Sequence, residues 1–248
     1  FRPLAWAADT DRSPYNGYEV TFDGVITTDA EFATFYGGYA IQDAQEEWSG
    51  VIIRGIDDAL EVGQAITVTG TVMERDADDS DKWNYMTYID VSSYESTGMV
   101  DPWAPIQIEV SDMRFSTNAE ALEGCLVELG RIRVSPLDDA PDFYIPINDM
   151  NRNDLSEGWI TTYGLEEGVA EDLFDDIVNR TIIDGITGVF VENERYALAP
   201  RTDRDVGAMV VRDDNAPTPL TFSLDAAYPN PFNPKTTTGF KLASTSNV

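Results

Sequence analysis

An internal repeat of glycine-containing segments constrains the fold of this chain more than any other feature of its sequence. Gly24, in VTFDGVI, is followed nineteen positions later by Asp43, and Gly130, in LVELGRIRV, is followed nineteen positions later by Asp149. Each half then continues with a glycine-flanked segment, a long segment with a central glycine and a closing segment beside a tyrosine. The paired segments are 48–55 with 157–164, 65–76 with 181–194, and 87–91 with 195–200. The sequence therefore predicts two similar domains in tandem.

Most of the chain has the pattern of short β-strands separated by Gly, Asp, Asn and Pro. β-branched and polar residues alternate with period two, as in half-buried strands. Strands of the first half are predicted at 18–22, 24–27, 39–42, 50–54, 65–72 and 85–91. Gly70, in the middle of AITVTGTV, predicts a bulge or tight bend of the kind that a closing barrel needs. The predicted fold class is all-β with a minor helical part.

Two helical segments and one linker interrupt this pattern. Residues 165–178, LEEGVAEDLFDDIV, predict a short acidic helix where the first half has only the turn IDDALEVG. Residues 111–124 are predicted to be partly helical, with Thr117 or Asn118 as the N-cap. Residues 96–105 contain a glycine and two prolines, which predicts a linker between the halves.

Four segments occur in the order expected for a particular kind of barrel. They are YAIQD at 39–43, VGQAITVTG at 62–70, STNAEALEG at 116–124 and YALAPRTDRDVG at 196–207. They resemble the tandem oligonucleotide/oligosaccharide-binding (OB) modules of secreted bacterial proteins, which often accompany extracellular nucleases. The resemblance implies two tandem OB-like barrels, each five-stranded and bent by glycines. The expected division is an extended segment at 1–16, barrels at 17–100 and 101–212, and a linker with a truncated β tail at 213–248.

The chain is strongly acidic, with 16 basic and 45 acidic residues and a formal net charge of −29. The charged residues from Pro217 onward are Lys235, Lys241 and Asp225, so this part has a net charge of +1 and residues 1–216 have a net charge of −30. Such a field repels phosphate backbones, which argues against a nucleic-acid partner. It attracts cations, although solubility or tolerance of salt explains the same composition. No run of about 18 apolar residues occurs, so no membrane span is expected.

The sequence suggests no catalytic site. It contains no histidine, which removes the commonest general base and a common metal ligand. No Gly-rich phosphate loop, Ser nucleophile elbow or zinc-ligand spacing occurs. The single cysteine, Cys125, lies in the apolar run CLVEL and is most simply a small buried hydrophobe. We therefore expect a protein that is not an enzyme.

Residues 228–237, YPNPFNPKTT, form a motif of interleaved Pro and Asn. Composition alone predicts a rigid turn that leads into a strand. The motif resembles the opening of the C-terminal sorting domain of the type IX secretion system, a small β-sandwich. The resemblance implies a secreted protein, extracellular or on the cell surface, that engages the export machinery. The chain begins at Phe1 without a charged-then-apolar leader, which is consistent with a signal peptide already removed.

The chain holds only the start of such a sandwich, so the strand predicted at 236–242 is expected to lack the partners of its own domain. Unpaired backbone groups in a strand favour pairing with another sheet edge, including one in a neighbouring molecule. We therefore expect the tail to mediate assembly. Its candidate residues are Tyr228, Pro229, Asn230, Pro231, Phe232, Thr236, Thr237, Thr238, Phe240 and Leu242.

Calcium is the only cofactor that the sequence suggests. Oxygen-bearing side chains alternate in DMNRNDLSE, and Ca²⁺ takes six to eight oxygen ligands. The candidate ligands are Asp149, Asn151, Asn153, Asp154 and Glu157. The match to a calcium loop fails where Asp154 replaces the usual glycine, and an ordinary Asx-rich turn explains the same residues.

Aromatic residues cluster in the first half. OB modules use such rings to stack bases or sugars, and cationic side chains usually accompany them. The candidate platform is Tyr36, Tyr39, Trp48, Trp83, Tyr85 and Tyr88. Basic residues are sparse in this stretch, so structural packing is the alternative for most of these rings.

Two functions from different classes follow from these observations. The first is a non-catalytic extracellular or cell-surface structural protein, a filament or surface-layer subunit that self-associates by exchanging terminal strands. The second is an OB module that binds nucleic acid or polysaccharide and is accessory to an extracellular enzyme. Fold alone does not decide between them, because OB barrels host many unrelated functions.

Overall fold

The computed structural model describes residues 13–74, 86–114, 116–135, 143–150, 158–177, 181–192, 195–211, 223–224 and 240–241. The chain divides into two compact units, Phe1–Val211 and Arg212–Val248. The first unit contains two closed five-stranded barrels. The predicted fold class, all-β with a minor helical part and two tandem OB-like barrels, is therefore confirmed.

The first barrel is closed in the order β1-β2-β3-β5-β4. Its strands are β1 (Glu19–Ile26), β2 (Tyr39–Gln42), β3 (Gly50–Arg54), β4 (Gln64–Glu74) and β5 (Thr87–Met99). β3 and β5 run parallel, and every other pair is antiparallel. The strands predicted at 18–22 and 24–27 form one continuous strand, β1. A helix that the sequence did not predict, α1 (Ala30–Tyr36), joins β1 to β2.

The predicted bulge at Gly70 is confirmed. The register between β4 and β5 shifts between Thr69 and Gly70. A Cβ at Gly70 would lie 2.5 Å from the carbonyl oxygen of Asp90, so this approach of the two backbones requires glycine. The bulge bends a strand pair that runs along eleven residues of β4, which helps to close the barrel.

The linker predicted at 96–105 is wrong over its first residues. β5 continues to Met99, which pairs with Gln64. The glycine that suggested a linker is Gly98, whose φ of +131° accommodates a second register shift of the same strand pair. A left-handed glycine here marks an irregularity inside a strand rather than its end.

The second barrel repeats the topology of the first. Its elements are β6 (Ile106–Ile108), α2 (Ser116–Leu122), β7 (Leu126–Val134), β8 (Tyr144–Asp149), β9 (Gly158–Thr161), α3 (Glu167–Asp176), β10 (Thr181–Glu192), β11 (Tyr196–Ala199) and β12 (Met209–Val211). β7, β8, β9, β11 and β10 close through the β10–β7 pair, with β9 and β11 parallel. The helices α2 and α3 confirm the two predicted helical segments, and β6 and β12 are additional outer strands. α2 begins at Ser116, so Thr117 and Asn118 lie inside the helix and the predicted N-cap is wrong.

Each barrel has its own apolar core, and a third cluster joins the two. This inter-barrel cluster contains residues of α1, β2 and β3 from one barrel and of β8, β10 and β11 from the other. Its members are Phe32, Tyr36, Ala40, Ile52, Met86, Tyr144, Val189, Val191, Ala197 and Ala199. Because apolar side chains of both barrels are buried together, the barrels form one packed body and are not two separate domains joined only by a linker.

Backbones also meet closely between the barrels. A Cβ at Gly50, the first residue of β3, would collide with the backbone of Gly124, which follows α2. Gly124 itself has a φ of +74°, so it turns the chain from α2 into β7 in the left-handed region. Nearby, the side-chain oxygen of Gln42, at the end of β2, accepts a hydrogen bond of 2.7 Å from the backbone N–H of Leu126, at the start of β7.

The second unit contains a pair of very short strands. β13 (Ser223–Leu224) is antiparallel to β14 (Phe240–Lys241), with Ser223 opposite Lys241 and Leu224 opposite Phe240. Of the strand predicted at 236–242, Phe240 and Lys241 lie within the described residues, and these two have a partner inside their own unit. In the described part of the chain, no helix is long and apolar enough to cross a membrane.

Candidate functional site

Three buried glutamates converge beside the inter-barrel cluster. Glu120 lies in the last turn of α2, Glu123 directly follows the helix, and Glu192 is the last residue of β10. They are 3%, 0% and 8% exposed, and one carboxylate oxygen of each lies within 4.8 Å of the others. We call these three residues the carboxylate trio.

Hydrogen bonds tie the carboxylate trio to both barrels. Glu123 Oε1 accepts from the backbone N–H of Thr87 at 3.1 Å, and the Thr87 hydroxyl donates to Glu74 Oε1 at 2.6 Å. Glu120 Oε2 accepts from the hydroxyl of Tyr196 at 3.1 Å. Burying several carboxylates together is costly unless protons, a cation or basic side chains compensate the charge. The donor set contains oxygen only, which is the kind that Ca²⁺ and Mg²⁺ prefer.

One feature of the sequence could have indicated part of this site: a glutamate at the same position of the repeat in both halves. In the repeat, Glu74 at the end of β4 corresponds to Glu192 at the end of β10, in VTGTVME and ITGVFVE. Each half thus carries a buried or half-buried glutamate at the end of its long glycine-containing strand. Glu120 and Glu123 have no counterpart in the first half, because α2 belongs to the segment that precedes the second barrel.

Tyr36 belongs to the inter-barrel cluster and is fully buried. Its ring stacks on Phe32 with centroids 4.8 Å apart. Burial raises the pKa of Tyr36 well above its ordinary value, and the nearby Tyr144 and Glu123 raise it further, while Arg54 lowers it. Because the pKa is raised, the hydroxyl stays protonated at neutral pH and does not act as a base.

The predicted aromatic platform of the first barrel is not a continuous exposed surface. Tyr36 and Tyr39 are buried, and the Tyr39 hydroxyl donates to the Asp58 carbonyl oxygen at 3.0 Å. Packing, the alternative that the sequence left open, accounts for these two rings. Tyr88 is half-buried with the Arg54 guanidinium 4.5 Å above its ring, and Trp48 is 39% exposed with a φ of +68°. Trp83 and Tyr85 lie outside the described residues.

The second barrel carries an aromatic strip instead, formed by Phe143, Tyr163, Tyr144 and Trp159 of the β8–β9 region. Phe143 stacks on Tyr163 at 4.9 Å, and Tyr163 meets Tyr144 edge to face at 5.9 Å. Tyr144 in turn meets Trp159 edge to face at 6.3 Å. Phe143 is 44% exposed and has a φ of +65°, an uncommon conformation for an aromatic residue.

Arg195 completes the aromatic strip. Its guanidinium lies 4.3 Å from the Trp159 ring centroid and 5.1 Å from that of Tyr144. Within the described residues it forms no ion pair and no hydrogen bond, and its Nε is buried. The stacking therefore holds the Arg195 guanidinium beside aromatic rings, with its N–H groups unused as hydrogen-bond donors in the described part of the chain. Such a cation is uncommon in this chain, where acidic residues far outnumber basic ones.

Other predicted site residues are only partly within the described chain. Asp149 ends β8 opposite Ile132 and is half-buried. The other candidate calcium ligands, Asn151, Asn153, Asp154 and Glu157, lie outside the described residues. Of the predicted tail residues, only Phe240 lies within them; Tyr228, Pro229, Asn230, Pro231, Phe232, Thr236, Thr237, Thr238 and Leu242 do not. The calcium loop therefore stays a prediction.

The chain matches no known protein family. It also matches none of the curated proteins with which it was compared.

Proposed function

We propose that this chain is a non-catalytic, secreted structural protein that self-associates through the strands of its C-terminal unit. The observation that carries the proposal is the sheet formed by β13 and β14. Within the described residues it has only two strands of two residues each. A two-stranded sheet is marginally stable in water, and a further strand adds backbone hydrogen bonds along its open edge.

The barrels direct assembly toward the tail because they offer few other edges. The first barrel closes completely, so every one of its strands has two neighbours. Closure removes the unpaired backbone groups through which sheets join edge to edge. In the second barrel, the outer strands β6 and β12 are only three residues long.

The packed barrel pair suits a structural subunit. The inter-barrel cluster and the hydrogen bond from Leu126 to Gln42 fix one barrel against the other. The Arg201 guanidinium adds a bond of 2.8 Å to the Thr27 carbonyl oxygen of the first barrel while it is held by Asp205. Contacts of this kind favour a fixed arrangement of the two barrels, which suits a repeating subunit.

Export is part of the same proposal and rests on the motif YPNPFNPKTT at 228–237. Its likeness to the opening of a type IX sorting domain supports secretion to the extracellular space or the cell surface. Contact with the export machinery precedes assembly in this scheme.

Direct imaging and sedimentation of the purified full chain test the proposal. Phe240→Pro removes a backbone N–H from β14, and we expect it to abolish the assemblies. Ser246→Pro, five positions after Lys241 in the sequence, is the matched control and is expected to leave them intact. Monodisperse monomers of the unaltered chain at every protein and calcium concentration would overturn the proposal.

A second candidate function, binding of a polysaccharide, is favoured by Arg195 and the aromatic strip. Exposed ring faces stack on sugars, and the guanidinium donates to hydroxyl oxygens. A neutral glycan fits better than a nucleic acid, because a net charge of −29 repels polyanions. Affinity electrophoresis in neutral glycans tests it: Arg195→Ala or Phe143→Ala weakens retardation about tenfold, the consequence of roughly 1.4 kcal/mol. Tyr18→Ala, an exposed ring of the first barrel, is the control.

A further inference from the structure

A groove opens on the second barrel where two neighbours of β7 end. β6 pairs with β7 as far as Leu129, and β8 pairs with the same strand only from Ile132 onward. Gly130 and Arg131 lie between these pairings. In the described part of the chain, no strand covers their backbone on this side of β7, which leaves an opening two residues long.

The groove has the dimensions and lining of a binding site. Its volume is about 500 Å³, within the range of about 300–1,000 Å³ that is usual for ligand pockets. Buried Ile108 and Ile132 form part of its lining, and Glu109 and Asp149 add carboxylates. A Cβ at Gly130 would meet no atom within 4 Å, so the space above this residue is open.

We propose that this β7 groove receives the β14 strand of a second copy of the chain, by addition of a strand to the exposed part of β7. The inference rests on the proposed function and names the acceptor of the tail. Strand addition combines backbone hydrogen bonds with pockets for alternate side chains. The opening beside Gly130 and Arg131 is two residues long, as is β14 (Phe240–Lys241).

Charge complementarity identifies the occupant. The tail from Pro217 onward carries +1, whereas residues 1–216 carry −30. Lys241 belongs to β14, and the groove presents the carboxylates of Glu109 and Asp149. Arg131, the basic residue of the groove lining, has its Nε 3.8 Å from Asp184 of β10, so an acidic side chain already faces its charge. The tail of a second copy is therefore attracted by the acidic body rather than repelled by it.

Disulfide trapping between two full-length variants tests the location. One population carries Gly130→Cys and the other carries Lys241→Cys, so only an intermolecular contact gives a mixed dimer. A disulfide requires Cα atoms about 4.4–6.8 Å apart, which makes its yield a measure of direct pairing. We expect the mixed dimer at roughly ten times the yield given by Gly168→Cys with Lys241→Cys. Gly168 is the matched control because it is exposed on α3 and also has open space at its Cβ position.

A groove-filling variant provides the second measurement. Gly130→Phe places a ring in the groove without a backbone clash, since Gly130 has open space and no left-handed φ. We expect it to abolish assembly, while Gly168→Phe leaves assembly unchanged. If Gly130→Phe still assembles and no mixed dimer forms, while Phe240→Pro prevents assembly, the groove is not the acceptor and the proposed function stands. If the unaltered chain never assembles, both proposals are overturned.

Discussion

At the scale of single residues, burial between the barrels sets the chemistry of Tyr36. Its hydroxyl lies among apolar side chains and near Glu123, so forming a phenolate there would add a negative charge where no water can solvate it. The neighbouring Arg54 offsets only part of this cost, because the net direction of the pKa shift is upward. The same environment that excludes Tyr36 from ligand binding makes it a reporter of the inter-barrel packing.

We predict that stability above pH 10 depends on Tyr36. Its pKa in the folded state lies above that in the unfolded chain, so its contribution is complete below about pH 10 and is lost as the pH rises through the folded-state pKa. In that window, stability falls by up to about 1.4 kcal/mol per pH unit from this one group. Denaturant unfolding at several pH values from about 8 to about 11, on both sides of the ordinary tyrosine pKa, measures this change in the free energy of unfolding.

Tyr36→Phe should flatten this dependence, because the titrating group is gone. Tyr18→Phe, at a ring that is 64% exposed, is the control and should leave the curve of the unaltered chain in place. Equal slopes for the unaltered chain and Tyr36→Phe would contradict the assignment.

At the scale of elements, the sequence predicted the strands of the first half better than its helix. The period-two pattern and the glycine spacing predicted strands in two similar domains, and the resemblance to OB modules implied that each domain is a barrel. Helix α1 was missed although its ends carry ordinary signals: the Asp29 side chain accepts from the Phe32 N–H at 2.9 Å, and Gly37 ends the helix with a φ of +81°. Its seven residues are rich in aromatic and small side chains, which resemble the flanking strands in composition.

The contact between β3 and the turn after α2 depends on two glycines. We predict that Gly50→Ala lowers the free energy of unfolding by about 1–3 kcal/mol, because its Cβ would overlap the Gly124 backbone and neither side can give way cheaply. Gly124→Ala should cost at least as much, since its φ of +74° adds strain of about 1–2 kcal/mol.

Gly168→Ala provides the contrast for this prediction in urea unfolding. It lies within α3 with open space around its Cβ, so it should leave stability unchanged or raise it by up to about 1 kcal/mol. If Gly50→Ala is as stable as Gly168→Ala, the two backbones do not meet as closely as the structure shows.

At the scale of the whole molecule, the candidate site was harder to predict from sequence than the fold. Strand periodicity is local, so a single sequence reveals it. The carboxylate trio joins Glu120 and Glu123, which are near neighbours in the chain, to the distant Glu192. The two parts meet because α2 and β10 pack beside the start of β5. Arg195 likewise becomes a candidate binding residue only because it stacks on Trp159 and Tyr144. The sequence alone did not distinguish these two rings from the other aromatic residues.

Net charge belongs to this scale as well and sets the conditions for assembly. Copies that carry −29 each repel one another at low ionic strength, where the Debye length is about 30 Å at 0.01 M salt. At about 0.15 M salt it falls to about 8 Å, and short-range strand pairing then outweighs the repulsion. We therefore expect monomers at low salt and larger species at physiological salt in sedimentation velocity.

Comparing assembly in calcium chloride and in sodium chloride at equal ionic strength separates two effects of calcium: screening of the charge repulsion and binding to carboxylates. If calcium acts only through screening, both salts give the same distribution of species. If carboxylates such as Asp149 hold calcium, assembly begins at a lower ionic strength in calcium, and Asp149→Asn shifts it back toward the sodium curve. A different outcome would contradict this account: assemblies that form at low salt and dissolve when either salt is added. The copies would then be held together by attraction between opposite charges and not by strand pairing.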